Sequence, residues 1–120
     1  MARAKSAVTK KSRHNRTLKL AKGYYGHKSI GYKSAKEQVR KSNEHAFNDR
    51  KLLKREMRRL WIKRINAAAR TYEMSYSQLI NGLNKANVEI NRKMLADIAY
   101  NDLEQFEEIV KIAKEGLDKS

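Results

Sequence analysis

The sequence predicts an all-α protein with a basic extended N-terminal arm, one long projecting helix and a small C-terminal helical domain. Three observations predict it. Proline is absent from all 120 residues, so nothing breaks a long helix from within. From about residue 34 onward, apolar residues recur at spacings of three, four or seven, the period of one helix face. β-Branched residues are sparse and strict apolar–polar alternation is absent, which argues against strands.

The arm comprises residues 1–33. From Met1 to Lys36 there is no acidic residue, but there are eleven basic ones. Such a stretch repels itself and has too few large apolar groups to build a core, so it requires a polyanion. Residues around Asn15–Ala21 are expected to form a short helix, weak in isolation, with Val8, Leu18 and Leu20 as the sizeable apolar groups of the arm. Gly23, Gly26 and Gly31 then mark a bend around Tyr24 and Tyr25.

The long helix is expected over residues 34–72, with Ser29 or Ser34 as its cap. Val39, Ala46, Leu53, Met57, Leu60, Trp61, Ile65, Ala68 and Tyr72 recur along it, and its apolar stripe thickens from Leu52 onward. At about 1.5 Å per residue it reaches roughly 55–60 Å, longer than a small domain is wide, so its basic first half is expected to project.

The C-terminal domain is expected over residues 73–120, completed by 57–72. Ser75-Tyr76-Ser77-Gln78 reads as a capping box that opens a helix ending near Lys85, with Tyr76, Leu79, Ile80 and Leu83 inward. Asn91 caps the next, with Met94, Leu95, Ile98 and Ala99 inward. Asn101 or Asp102 caps the last, whose inner face is Leu103, Phe106, Ile109, Val110 and Ala113, with Gly116 as its C-terminal stop.

Charge divides the chain sharply. Residues 1–60 carry 19 basic and 4 acidic side chains, a net +15, whereas residues 61–120 carry 9 of each and are neutral. An asymmetry of this size points to nucleic acid or an anionic membrane as the partner of the first half. The membrane reading lacks the bulky apolar face that surface binding needs, and no apolar run approaches the roughly 18–20 residues of a span. The start has no continuous apolar stretch of a secretory signal. Residues 1–20 share the basic, acid-free composition of a mitochondrial transit peptide, but the pattern runs on past any plausible cleavage point. With no cysteine there is neither a disulfide nor a thiolate metal site.

Enzymatic chemistry has no candidate constellation, and no cofactor or metal is expected. His14, His27 and His45 are scattered without carboxylates at ligand or triad spacing, Glu107 and Glu108 read as a solvated helix face, and Gly23–Gly26 matches no phosphate-binding fingerprint. Nucleic-acid binding is supported by cations spread along an extended segment: Arg3, Lys5, Lys10, Lys11, Arg13, Arg16, Lys19, Lys22, Lys28, Lys33, Lys36, Arg40, Arg50, Lys51, Lys54, Arg55, Arg58 and Arg59. Tyr24, Tyr25, Tyr32, His14 and His27 lie among them, and two roles are open to the tyrosines, stacking on bases or packing at the bend. Trp61 reads as a core anchor rather than a base-stacking group. Arg64, Arg70, Lys85, Arg92 and Lys93 either form one basic face on the neutral domain or are ordinary surface charge.

Particular words then stand out. Arg13-His14, Leu18-Lys19-Leu20-Ala21-Lys22-Gly23-Tyr24-Tyr25-Gly26, Leu60-Trp61-Ile62-Lys63-Arg64-Ile65-Asn66-Ala67-Ala68, Ser75-Tyr76-Ser77, Asn81-Gly82-Leu83 and Asn91-Arg92-Lys93-Met94-Leu95-Ala96-Asp97 occur in order along nearly the whole chain. In these the chain resembles the bacterial large-subunit ribosomal protein twenty family. It departs at Tyr72-Glu73-Met74, where members often carry a glycine, and at Asn91, where an Asp is common.

The resemblance implies a non-catalytic constituent of the large subunit whose arm and long helix thread into ribosomal RNA and which acts early in subunit assembly. It implies ribosomal RNA and neighbouring ribosomal proteins as partners, and the bacterial cytoplasm rather than a plastid as location. Some members also bind their own messenger RNA through the C-terminal domain, and the resemblance places residues 91–93 and Ser75 in parts of it suited to RNA contact. Charge alone leaves a nucleoid-type DNA-binding protein as the competing expectation.

Overall fold

The computed structural model describes residues 5–119. Five α-helices follow one another: α1 (Ala7–Leu20), α2 (Tyr32–Thr71), α3 (Tyr76–Lys85), α4 (Arg92–Asn101) and α5 (Leu103–Asp118), with a 3₁₀ turn at Gly26–Ser29. No strand occurs among the described residues. The chain divides into two units, Met1–Lys51 and Leu52–Ser120, and α2 runs unbroken through the boundary. Its 40 residues correspond to roughly 60 Å.

In the first unit α1 is twice as long as the expected helix over Asn15–Ala21, reaching back to Ala7. Residues 7–13 are exposed, and the contacts that hold α1 lie further along it. His14, Thr17 and Leu18, spaced by three and one along a single side of α1, are half-buried, and His14 stacks on Tyr32 at the start of α2. Composition counted α1's cations but not this support. α1 ends in a turn closed by the Tyr24 N–H on the Ala21 carbonyl, with Gly23 at φ +85°. Ala21 and Ala35 are fully buried, so small side chains sit where the chain doubles back. Neither expected serine caps α2. The helix starts earlier, at Tyr32, and Ser29 Oγ instead donates to the Gly26 carbonyl at 3.0 Å.

The second unit has one apolar core. Ile65, Ala68 and Ala69 of α2 meet Leu79 and Leu83 of α3, Leu95, Ala96 and Ala99 of α4, and Phe106, Ile109, Val110 and Ala113 of α5, with Met74 from the α2–α3 turn. Trp61 packs half-buried against this cluster, in keeping with its reading as an anchor. The caps match expectation. Ser75 and Gln78 form the reciprocal box, Asn91 Oδ1 accepts from Met94 N–H at 2.9 Å, and Asp102 Oδ1 accepts from Gln105 N–H at 3.1 Å. Asn66 on α2 accepts from Tyr76 N–H at 3.2 Å, which ties the start of α3 to α2.

Four expectations are corrected here. Met94 and Leu103 are exposed although their spacing suggested the inner face: α4 buries the side of Leu95, Ala96 and Ala99, from which Met94 is turned away, and Leu103 is the first residue of α5. The stripe of α2 enters the core only from Trp61, so Leu52, Leu53, Met57 and Leu60 remain exposed. Gly116 does not stop α5, which continues to Asp118. Gly116 instead belongs to a close crossing of α3 and α5. A Cβ on Gly82 would lie 2.3 Å from the Ala113 carbonyl oxygen, and one on Gly116 would lie 2.5 Å from the Gly82 carbonyl oxygen.

The turn at Glu73 has a clear geometry. The Met74 N–H reaches the Ala69 carbonyl and the Glu73 N–H the Arg70 carbonyl, the paired bonds of a Schellman C-cap, with Glu73 at φ +62°. A side chain in that left-handed position costs about 1 kcal/mol. Glu73→Gly is therefore expected to raise the stability of the second unit by about 1 kcal/mol, read as a higher midpoint in thermal or urea unfolding. A midpoint that stays put or falls means that some other interaction of Glu73 offsets the strain.

Candidate nucleic-acid interface

In the first unit the sequence-predicted cations from Lys5 to Lys51 are exposed, and Arg3 lies outside the described residues. All but Lys5, Lys22 and Lys28 are carried by α1 and the first half of α2 rather than strung along an open chain. Lys5, Lys10 and Arg13 line one open groove with Ser6, Thr9, His14 and Tyr32. Lys11, Arg16 and Lys19 line another with Val8, Ser12 and Asn15. Lys28, Arg40 and Lys41 border a third with Ser34, Glu37 and Gln38. Helical spacing causes this. Lys10, Arg13 and Lys11, Arg16, Lys19 fall on different sides of α1, and such a helix presents cations to more than one anion.

The aromatic residues separate into two kinds. Tyr24 donates its hydroxyl to Ser42 Oγ at 2.8 Å, which fastens the bend to α2. Tyr32 lies against His14 with ring centroids 3.7 Å apart and planes 9° from parallel, and the Lys36 ammonium stands 5.9 Å from the same ring. Those two tyrosines and His14 are packed groups. Tyr25, between the two positive-φ glycines Gly23 and Gly26, is 94% exposed. His27 is exposed, its ring against Gly31, where any Cβ would strike it. The sequence offered no signal for the Ser42 contact, eighteen residues from Tyr24.

Within the second unit Lys54, Arg55, Arg58 and Arg59 are exposed, and the Arg59 guanidinium pairs with Glu56 at 2.9 Å. The like pair in the first unit is Lys41 with Glu44 at 3.3 Å. Exposed pairs of this kind contribute little to stability and leave the guanidinium able to exchange partners. Of the five basic residues read either as one face or as ordinary surface charge, the structure brings Arg64 and Lys93 together in a cleft with Trp61, Asn91, Met94 and Asp97. Lys85 borders a separate groove beside α5. Arg92 is half-buried and its Nε donates to the Tyr76 hydroxyl at 2.6 Å, so it braces α4 on α3. The cleft could be foreseen only in part. Arg64 and Lys93 are legible as cations, but their meeting depends on how α4 packs on α2.

Elsewhere the chemistry is plain. Lys111 is held above the ordinary lysine range first by its hydrogen bond to Glu107 and then by that carboxylate's charge, across 2.9 Å on an exposed face of α5. Among the described residues no group of three or more His, Cys, Asp or Glu side chains is placed to hold a metal ion. No helix among them is long and apolar enough to cross a membrane.

The family model described as Ribosomal protein L20 matches residues 3–109. The chain belongs to the ribosomal protein L20 family. It is 58% identical to the large ribosomal subunit protein bL20 of Carboxydothermus hydrogenoformans, over 98% of this chain and the whole of that protein. It is likewise 58% identical to the protein of that name from Mycoplasmopsis pulmonis, over 93% of this chain and 97% of the relative. The Staphylococcus haemolyticus bL20 is 54% identical over 98% and 99%. Membership of the L20 family thus spans both units, the basic one and the neutral one.

Proposed function

We infer that this protein is a structural, non-catalytic constituent of the large ribosomal subunit that binds large-subunit ribosomal RNA directly and supports early assembly in the bacterial cytoplasm. The observation that carries the reading is the confinement of the whole +15 excess to residues 1–60, whose described cations are all exposed. Cations so arranged neutralise phosphates where RNA segments crowd together. Lys93, in the cleft beside Arg64, adds a contact that can recognise RNA shape. Binding the protein's own messenger RNA through this second unit is part of the proposal. Excess protein is then expected to lower translation of a reporter bearing its own leader, and unchanged translation removes that part.

The direct test is co-sedimentation with large subunits at moderate salt, together with competition between folded ribosomal RNA and duplex DNA. Retention on subunits and preference for RNA are expected. Equal or tighter binding to DNA would establish the nucleoid-type reading instead.

Tyr25 is assigned the stacking role among the tyrosines, since its ring is exposed while Tyr24 and Tyr32 are held by protein contacts. Tyr25→Ala is expected to weaken RNA binding by about 1–3 kcal/mol, the usual worth of one base on one ring. Tyr24→Phe should leave affinity nearly unchanged and instead loosen the bend, seen as faster amide exchange around residues 21–26. If both substitutions reduce affinity alike, the division of roles is wrong.

A further inference from the structure

The apolar stripe of α2 is longer than the core that uses it. Upstream of Trp61, Leu53, Met57 and Leu60 stay 57%, 36% and 38% exposed. With Arg64 they follow one another at spacings of four, three and four, so they form one ridge along the helix. Beyond Leu60 the ridge reaches α4, where the Arg64 guanidinium lies 5.2 Å from the centroid of the exposed Tyr100 ring. Lys51, Arg55 and Arg58 make a second ridge of the same spacing, displaced by two residues. At about 100° per residue the displacement is about 200°, so the two ridges lie on opposite sides of α2. One helix therefore offers cations to one neighbour and branched or thioether side chains to another.

We propose that the Leu53–Met57–Leu60 ridge, ending at Arg64 and Tyr100, docks a neighbouring protein of the particle, one presenting an apolar strip edged with carboxylates. The inference rests on the reading of the chain as a large-subunit protein. RNA is a poor occupant of this side. Leucine and methionine offer no planar ring for a base and no donor for a phosphate, and they stabilise a contact only when another apolar surface leaves water with them. Charge selects the rim of the partner. Lys54 flanks the ridge and Arg64 closes it, while the Glu56 carboxylate is drawn toward Arg59 on the cationic side. The patch is smaller than a free-standing interface of about 800 Å² per partner, so it acts between proteins already held by RNA, where the second contact is effectively intramolecular.

The test places the photo-crosslinking residue benzoylphenylalanine at Met57, or separately at Arg58, in the full chain assembled into large subunits. Irradiation at Met57 is expected to give an adduct that survives ribonuclease and contains one ribosomal protein, whereas Arg58 should give adducts that ribonuclease removes. Ribonuclease-sensitive adducts at Met57, protein adducts equally frequent at both positions, or no adduct at Met57 in subunits that contain the chain would each overturn the proposal. A second variant, Met57→Ser with Leu60→Ser, should keep the affinity of the free chain for RNA within about twofold but be washed from subunits several-fold more readily by salt. Retention equal to the parent chain also overturns it. A chain that never sediments with large subunits refutes the ribosomal reading itself, and the two failures are thereby distinguishable.

Discussion

Gly82→Ala lowers the stability of the second unit by about 2–3 kcal/mol, although helix propensity alone predicts a gain of about 1 kcal/mol from the same change. The conflict decides between two explanations of the glycine. Gly82 lies inside α3, where alanine is ordinarily the better residue. Here its Cβ would stand 2.3 Å from the Ala113 carbonyl oxygen and 2.8 Å from its carbon, both backbone atoms of α5. Backbone cannot swing aside as a side-chain tip does, so α3 and α5 must separate. Separation strips contacts from Leu79, Leu83, Val110 and Ala113 at once. For a unit of this size the loss corresponds to a fall in Tm of roughly 8–24 °C, measured by circular dichroism. Gly116→Ala should act in the same direction, since its Cβ would meet the Gly82 carbonyl oxygen at 2.5 Å. An unchanged or higher Tm for both variants removes the close crossing from the account of the fold.

The second large effect is on binding. A chain that neutralises about ten phosphates should show a slope of roughly −7 to −9 in a log–log plot of affinity for ribosomal RNA against salt. Between 50 and 200 mM salt that slope amounts to a roughly 10⁴–10⁵-fold loss of affinity. Replacing Lys10, Arg13, Arg16 and Lys19 of α1 together by glutamine should reduce the slope by roughly 3–4. Glutamine has nearly the helix propensity of the residues removed, so α1 is kept while its charge is lost. A shallow slope in the parent chain, or an unchanged slope in the variant, would show that α1's cations do not meet phosphates.

Much of the second unit was legible in its residues because its signals are local. The box at Ser75 and Gln78 and the caps at Asn91 and Asp102 are each made by side chains within three residues of the groups they satisfy. Periodicity likewise located Phe106, Ile109, Val110 and Ala113 on the inner face of α5. The same rule failed at Met94, which is turned away from the side buried through Leu95, Ala96 and Ala99, and at Leu103, the first residue of α5. It failed again for Leu53, Met57 and Leu60, where a continuous stripe outruns its core.

The interface follows the same division. Charge, which sums over a sequence without regard to fold, marked the first sixty residues as the part that meets a polyanion. It could not say which aromatic groups are exposed, because that turns on contacts between distant residues: Tyr24 with Ser42, and Tyr32 with His14. By itself, then, the amino-acid sequence determined the helical class, the capped ends, the place of the excess charge and the family words. Tertiary structure alone decided the glycine crossing of α3 and α5 and the meeting of Arg64 and Lys93 in one cleft. The physical reason is common to both. Each depends on the distance between backbones or side chains brought together by packing, and no local propensity encodes that distance.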